Sequence, residues 1–282
     1  MKNFKIALIQ MATTASVEQN LENLSSWLEK AREAQVDVAV VPEEFLTLSL
    51  KREEKYLISE PLDAGPIQAQ LSLLAKKYKL YLIAGTVPIR STQANKITAS
   101  MLIYDPTGTR ISKYDKIHLF DVSIEGGKES YKESDHIVPG KTLVDLKLPF
   151  AHLGLGICYD LRFPELFKML ALKGVNLFVL PSAFTIRTGE KHWETLVRAR
   201  AIENLSFFVA CNNVGLRLNG EGTYGHSMIV GPWGEVLAKL TTEENMLVQE
   251  MDVSPLHTLR QNFPVLAHGQ DFIIKAWLKL LK

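Results

Sequence analysis

The sequence predicts an α/β fold: stacked sheets with helices outside, in one domain of 282 residues. Three observations carry that expectation. Short apolar runs such as Val38-Ala-Val-Val41 alternate with segments whose apolar residues recur at helical spacing, as do Val17, Leu21, Leu24, Leu28 and Ala31. The alternation falls into two β-α-β-type halves with hairpin signals between them. No linker, repeat or low-complexity segment divides the chain. The domain is therefore expected to span residues 1–282, with 266–282 as a tail that is docked or lies at a subunit contact.

In order, Phe4–Gln10 is a first strand, and the helix after it buries the stripe just named. Val38–Val41 has the composition of a strand buried on both faces and ends at Pro42-Glu43-Glu44; acids in such a place ordinarily sit in solvent at a sheet edge. A polar connection, Leu50–Gly65, leads to a helix over Pro66–Tyr78, where Pro66 suits a first turn and Ile67, Leu71 and Leu74 share a face. Strands follow at Leu80–Val87 and Thr98–Tyr104, and Asp105-Pro-Thr-Gly108 turns the chain into a strand within Ser112–Asp121. That segment carries Lys116, by itself an ordinary edge charge, and His118, by itself a satisfied structural histidine.

Val122–Gly140 is polar and aperiodic, a loop long enough to be functional. Leu143–Leu148 and Leu153–Cys158 are strands, Phe163–Lys173 a helix and Asn176–Leu180 a strand. Glu190–Glu203 is a helix with Trp193, Leu196, Val197 and Ala201 on one face, and its Arg198 and Arg200 are expected to tie helix to sheet. Phe207–Cys211 is a strand in which Cys211 fills core. A strand and tight turn in Tyr224–Gly234, its partner Val236–Leu240, a strand at Met246–Met251 and a short helix at Leu256–Gln261 complete the body. Phe272–Lys282 is amphipathic.

A net charge of +1 offers no attraction for nucleic acid or an anionic membrane, and no apolar run is long enough to span a bilayer. Two cysteines and no Cys/His cluster exclude a disulfide framework and argue against structural zinc, so a reducing, cytoplasmic compartment is expected.

The chemistry centres on Leu153-Gly-Leu-Gly-Ile-Cys158-Tyr-Asp-Leu-Arg-Phe-Pro-Glu165, where a buried strand runs into a helix start. A thiol at that turn stands at the carboxyl edge of a sheet, beside the positive end of a helix dipole; the alternative is a small core residue. Glu43 follows a buried strand, Lys116 lies in or just after one, and Cys158 ends one. If those strand ends converge, the three groups suit amide hydrolysis. The carboxylate takes the thiol proton and later activates water, while the ammonium favours thiolate and shares the charge of a tetrahedral intermediate with a backbone N–H. Beside such a cation the thiol pKa is expected to fall from about 8.5 toward neutrality.

The three motifs resemble those of the nitrilase superfamily of carbon–nitrogen hydrolases: Val40-Val-Pro-Glu43, Lys113-Tyr-Asp-Lys116-Ile-His-Leu119, and Gly156-Ile-Cys158-Tyr-Asp-Leu-Arg-Phe-Pro-Glu165. The resemblance implies a four-layer α-β-β-α sandwich, commonly paired as a homodimer. It implies Glu43 as general base, Lys116 as charge stabiliser and Cys158 as nucleophile, with no cofactor or metal. A second glutamate that orients the lysine or the substrate maps onto Glu133. Pro181-Ser-Ala-Phe-Thr185, Gly189-Glu-Lys-His-Trp-Glu194 and Tyr224-Gly-His-Ser-Met228 are most similar to deaminated-glutathione amidases, with omega-amidases close behind. The implied partner is a small amide bearing a carboxylate.

Tyr159 and Arg162 adjoin the nucleophile. Arg162 is a candidate for a bidentate clasp on that carboxylate, its alternatives being an ion pair with Glu165 or a subunit contact. In two places the chain departs from the glutathione-type pattern. The loop Val214–Glu221 keeps only Arg217 as a cation, and Pro264–Asp271 lacks paired arginines. An N-carbamoyl amino acid hydrolase is the alternative enzyme, and an inactive binding protein the alternative of another class.

Overall fold

The computed structural model describes residues 3–123, 130–217 and 220–269. The first half runs β1 (Phe4–Gln10), α1 (Val17–Glu33), β2 (Val38–Val40), α2 (Arg52–Leu57), α3 (Pro66–Tyr78), β3 (Tyr81–Arg90), β4 (Ile97–Tyr104) and β5 (Arg110–Asp115). A small hairpin, β6 (Asp121–Ser123) and β7 (Ser130–Lys132), leads into β8 (Asp145–Lys147), β9 (His152–Leu155), α4 (Pro164–Leu172), β10 (Leu177–Ser182), α5 (Ile186–Asn204) and β11 (Phe207–Asn212). A second small hairpin, β12 (Val214–Leu216) and β13 (Gly222–Tyr224), precedes β14 (Met228–Val230), β15 (Val236–Lys239), β16 (Asn245–Met251) and α6 (Leu256–Asn262).

Two six-stranded sheets share one plan. The first is ordered β16-β1-β2-β3-β4-β5 and the second β15-β14-β11-β10-β9-β8. In each, three neighbouring strands are parallel (β1, β2, β3 and β9, β10, β11) and the flanking strands run antiparallel. Parallel pairing needs a crossover, which α1, α3, α4 and α5 supply. The strand at one edge of the first sheet comes from the far end of the chain: β16 pairs with β1 along its whole length, Phe4 opposite Met251 and Gln10 opposite Asn245.

Period-two alternation builds the layers. From β1, Phe4, Ile6 and Leu8 join the core between the sheets, while Ala7 and Ile9 pack with Leu24, Leu28, Leu71 and Leu74 of α1 and α3. On the far side of the second sheet, Phe167 and Leu170 of α4 and Trp193 and Val197 of α5 are buried. The order is α-β-β-α, as expected. Cys211 lies between the sheets, its Sγ 3.5 Å and 3.4 Å from the carbonyl oxygens of Ile9 and Val40, and is core filler.

Several local expectations are corrected. Of the two places left open for Lys116, in a strand or just after one, the structure takes the second: β5 begins at Arg110 and ends at Asp115. The polar connection Leu50–Gly65 contains α2, which buries no residue and so has no apolar stripe to betray it; Glu54 accepts from the Lys51 N–H at its start. The expected loop Val122–Gly140 carries the β6–β7 hairpin and a 3₁₀ turn at Glu133–Asp135. α5 begins at Ile186 rather than Glu190, capped by Thr185, whose side chain accepts from the Thr188 N–H. Gly189 weakens the helical signal there, yet a Cβ at that position would fall 2.2 Å from the Tyr224 ring. Phe272–Lys282 lies outside the described residues. Among the described residues no helix is long and apolar enough to cross a membrane.

Candidate active site

Glu43 sits three residues past the end of β2, and the backbone approach that places it is close. A Cβ on Gly85 of β3 would come 1.8 Å from the Pro42 carbonyl oxygen, so only glycine lets the chain turn there. Glu43 is 4% exposed and not a solvated edge acid. Its Oε1 accepts from Lys116 Nζ at 2.7 Å, its Oε2 from the Ala183 N–H at 2.9 Å, and its carbonyl from Asn213 Nδ2 at 3.2 Å. Lys116, 1% exposed, also donates to Glu133 at 2.9 Å, and the Phe120 N–H holds the second oxygen of Glu133 at 2.8 Å. Lys116 is thus a buried ammonium between two carboxylates.

Cys158 opens a 3₁₀ turn, Cys158–Arg162, with its backbone at φ +46°. For a residue with a side chain that conformation costs about 1–3 kcal/mol, and the turn is held by other contacts. Asp160, fully buried, accepts four bonds. The Ile157 N–H and Tyr114 hydroxyl reach one oxygen at 2.8 and 2.7 Å, and the His118 N–H and Nδ1 reach the other at 3.0 and 2.7 Å. Tyr114 and His118 flank Lys116 in sequence, so one carboxylate clamps the lysine segment to the cysteine turn. His118 is the satisfied structural histidine expected of it, stacked on Phe163 at 3.6 Å. Cys158 lines the same cavity as Glu43, Lys116 and Glu133. The structure therefore brings Glu43, Lys116, Cys158 and Glu133 together.

These groups line a cavity of about 260 Å³ whose aromatic walls are Phe120, Tyr131, Tyr159 and Phe184. Arg162 enters it with its guanidinium 5.8 Å from the Tyr159 ring and 5.5 Å from the Phe184 ring, and 3.3 Å from His192 Nδ1. It makes no ion pair with Glu165 among the described contacts. Arg198 bonds the Gly234 carbonyl in the β14–β15 turn at 2.7 Å, and Arg200 the Leu161 carbonyl of the cysteine turn at 2.9 Å. The second of these corrects the expected tie to the sheet. No group of His, Cys, Asp or Glu among the described residues is arranged to hold a metal ion.

The electrostatics correct one expectation. Burial, and then the adjacent Glu43 carboxylate, push the Cys158 thiol well up rather than toward neutrality, and Lys116 offsets this only in part. Burial also raises Glu43, against the pull of Lys116. Burial opposes the charge on Lys116, but Glu133 and Glu43 outweigh it and hold the ammonium firmly protonated. Burial thus favours a thiol that keeps its proton at rest.

Sequence reasoning passed over a second charged group. Glu44, also at positive φ, pairs with Lys55 of α2 and, at 3.3 Å, with Arg217; despite burial these two cations hold its pKa at about 2. Arg217, seen in the sequence only as the cation left in its loop, also donates to the Ala183 carbonyl at 2.8 Å.

Residues 5–261 match the family model described as carbon-nitrogen hydrolase. The chain is 34% identical over 271 residues to the deaminated glutathione amidase of Yersinia enterocolitica, covering 96% of this chain and 94% of that protein. It is 35% identical over 266 residues to the omega-amidase of Homo sapiens, covering 94% of each. Among solved structures it is similar to Saccharomyces cerevisiae Nit3, a member of branch 10 of the nitrilase superfamily. The TM-score is 0.83 and the identity 29%, over 93% of this chain and 95% of that one.

Proposed function

The chain belongs to the carbon–nitrogen hydrolase family and cleaves amides, and from that premise we propose that Cys158, Glu43 and Lys116 carry the reaction on a small amide with a distal carboxylate. The observation behind this reading is the shared cavity: a thiol, and an ammonium held between two carboxylates, all line it.

Glu43 takes the thiol proton as Cys158 Sγ bonds to the amide carbon. The oxygen becomes an oxyanion, stabilised by Lys116 and backbone N–H at the turn. The intermediate collapses, the C–N bond breaks, and Glu43 returns the proton to the leaving nitrogen. Glu43 then takes a proton from water as that water attacks the thioester. Acid is released and the thiol restored. A raised thiol pKa is compatible with this sequence, because the proton leaves during attack and not before it. Glu133 positions Lys116. A free nucleophilic thiol fits a reducing, cytoplasmic compartment.

Arg162 is the proposed carboxylate anchor, with Tyr159 as the wall behind it. The name of the Yersinia enterocolitica relative points to deaminated glutathione, and the resemblance to omega-amidases adds alpha-ketoglutaramate as a second type of substrate. Arg162→Met is expected to raise KM for both about 10- to 100-fold, the worth of a charge-assisted hydrogen bond, while an uncharged amide of similar length keeps its KM. Ammonia and amine release assays across the three substrates check this. Equal losses on all three, or carbon dioxide accompanying the ammonia, count against the reading.

Pairing into a homodimer is proposed from an exposed apolar patch. Trp233 and Phe263, with rings 5.4 Å apart, adjoin Ile202 of α5, whose Cδ1 lies 2.5 Å from where a Gly234 Cβ would stand. Sedimentation should give a dimer for the wild type and a monomer for Trp233→Glu; a wild-type monomer at all concentrations refutes it.

A further inference from the structure

Around Glu43 the charges, two buried and four half-buried, fall into two sets that share a boundary. In one, Lys116 is held by Glu43 and Glu133; in the other, Glu44 is held by Lys55 and Arg217. The first set has a carboxylate to spare and the second a cation to spare, so together three carboxylates face three cations. The sets meet twice. Glu43 and Glu44 are neighbours in the chain, and Ala183 bridges them in space, its N–H donating to Glu43 at 2.9 Å and its carbonyl accepting from Arg217 at 2.8 Å.

We propose that Arg217 is a positioning residue for the general base, the cation that balances this largely screened-off set and so keeps the Glu43 carboxylate charged and oriented toward Cys158. The inference rests on the reading of Glu43 as base. An unmatched charge where solvent is mostly excluded is costly, and a site relieves the cost by gaining or losing a proton. Without Arg217 the set carries one negative charge too many. Of the three carboxylates, Glu43 has the least exposed side chain, 5% against 19% for Glu44 and 23% for Glu133, and so gains most from taking the proton. Glu44 keeps Lys55, and Glu133 keeps the Phe120 N–H. The groups that face Glu43 are Lys116, Glu133, Glu44, Cys158 and Arg217. A protonated Glu43 cannot accept the thiol proton.

The test is the rate of Cys158 alkylation by iodoacetamide against pH on the full chain, read by intact mass, with Cys211 fully buried. In the wild type the rate should fall on the acid side as Glu43 protonates. Arg217→Gln, which can still donate to the Ala183 carbonyl, and Arg217→Met should both move that fall upward by about one pH unit, a tenfold slowing below it. Arg217→Lys should leave it in place. Adding Glu44→Gln to Arg217→Gln rebalances the set at two against two and should bring the fall back. If Arg217→Gln slows alkylation equally at every pH with the fall unmoved, the residue is only structural and the inference is overturned. If Glu43→Gln alkylates with the wild-type profile, Glu43 is not the base, and the inference fails with that reading.

Discussion

Cys158→Ala is expected to lose at least about 10⁴-fold in amide turnover, since removing a nucleophile removes the covalent path and leaves only binding and charge stabilisation. Thermal unfolding should change little. The thiol is small and nearly buried, and the positive φ of the turn is imposed by contacts that the substitution leaves intact, above all the four bonds to Asp160. Cys158→Gly should be equally inactive yet at least as stable as the alanine variant, because glycine adopts that conformation without strain. Retained turnover in either variant would place the nucleophile elsewhere. A large drop in melting temperature would make the cysteine part of the scaffold.

Lys116→Met should fail in both respects, losing activity and about 3–5 kcal/mol of stability, because it removes the ammonium from between Glu43 and Glu133. The sign with pH follows from the groups left behind. Two close carboxyls, one buried and one half-buried, that lose the ammonium between them have raised pKa values in the folded state. A raised carboxyl contributes stability that is present below its unfolded value and is lost as pH rises through the folded value. The deficit relative to the wild type should therefore be smaller near pH 5 and grow toward pH 8. Denaturant titrations at both pH values check this, and a deficit independent of pH would mean that the carboxylates find other partners.

The alternation of strands and helices was legible because apolar periodicity is a local signal, and the ends of the expected strands drew attention to Glu43 and Cys158, which line one cavity. What the sequence withheld was what those ends meet. The Ala183 N–H that holds Glu43 lies 140 residues away and is a backbone group, which no residue type announces. Asp160 carries no mark that Tyr114 and His118 will both bond to it across 46 and 42 residues. Glu44 looked like the second of two solvated acids until α2, a helix with no apolar face, delivered Lys55 beside it. The thiol pKa was misjudged for a related reason: the nearby cation could be named from motifs, but the depth of burial that outweighs it could not.

The pairing of β1 with β16 has a consequence in time. On a ribosome adding roughly 5–20 residues per second, β16 emerges about 10–50 s after β1. For that interval the edge of the first sheet stands open, its N–H and C=O groups free to take up another strand. The Gln10 amide, which ends β1 and bonds the carbonyls of Thr241 and Glu243, waits as long. The sheet that carries Glu43 and Lys116 is thus finished only once β16 has been made, so a nascent chain can fold much of its scaffold well before it can cut anything.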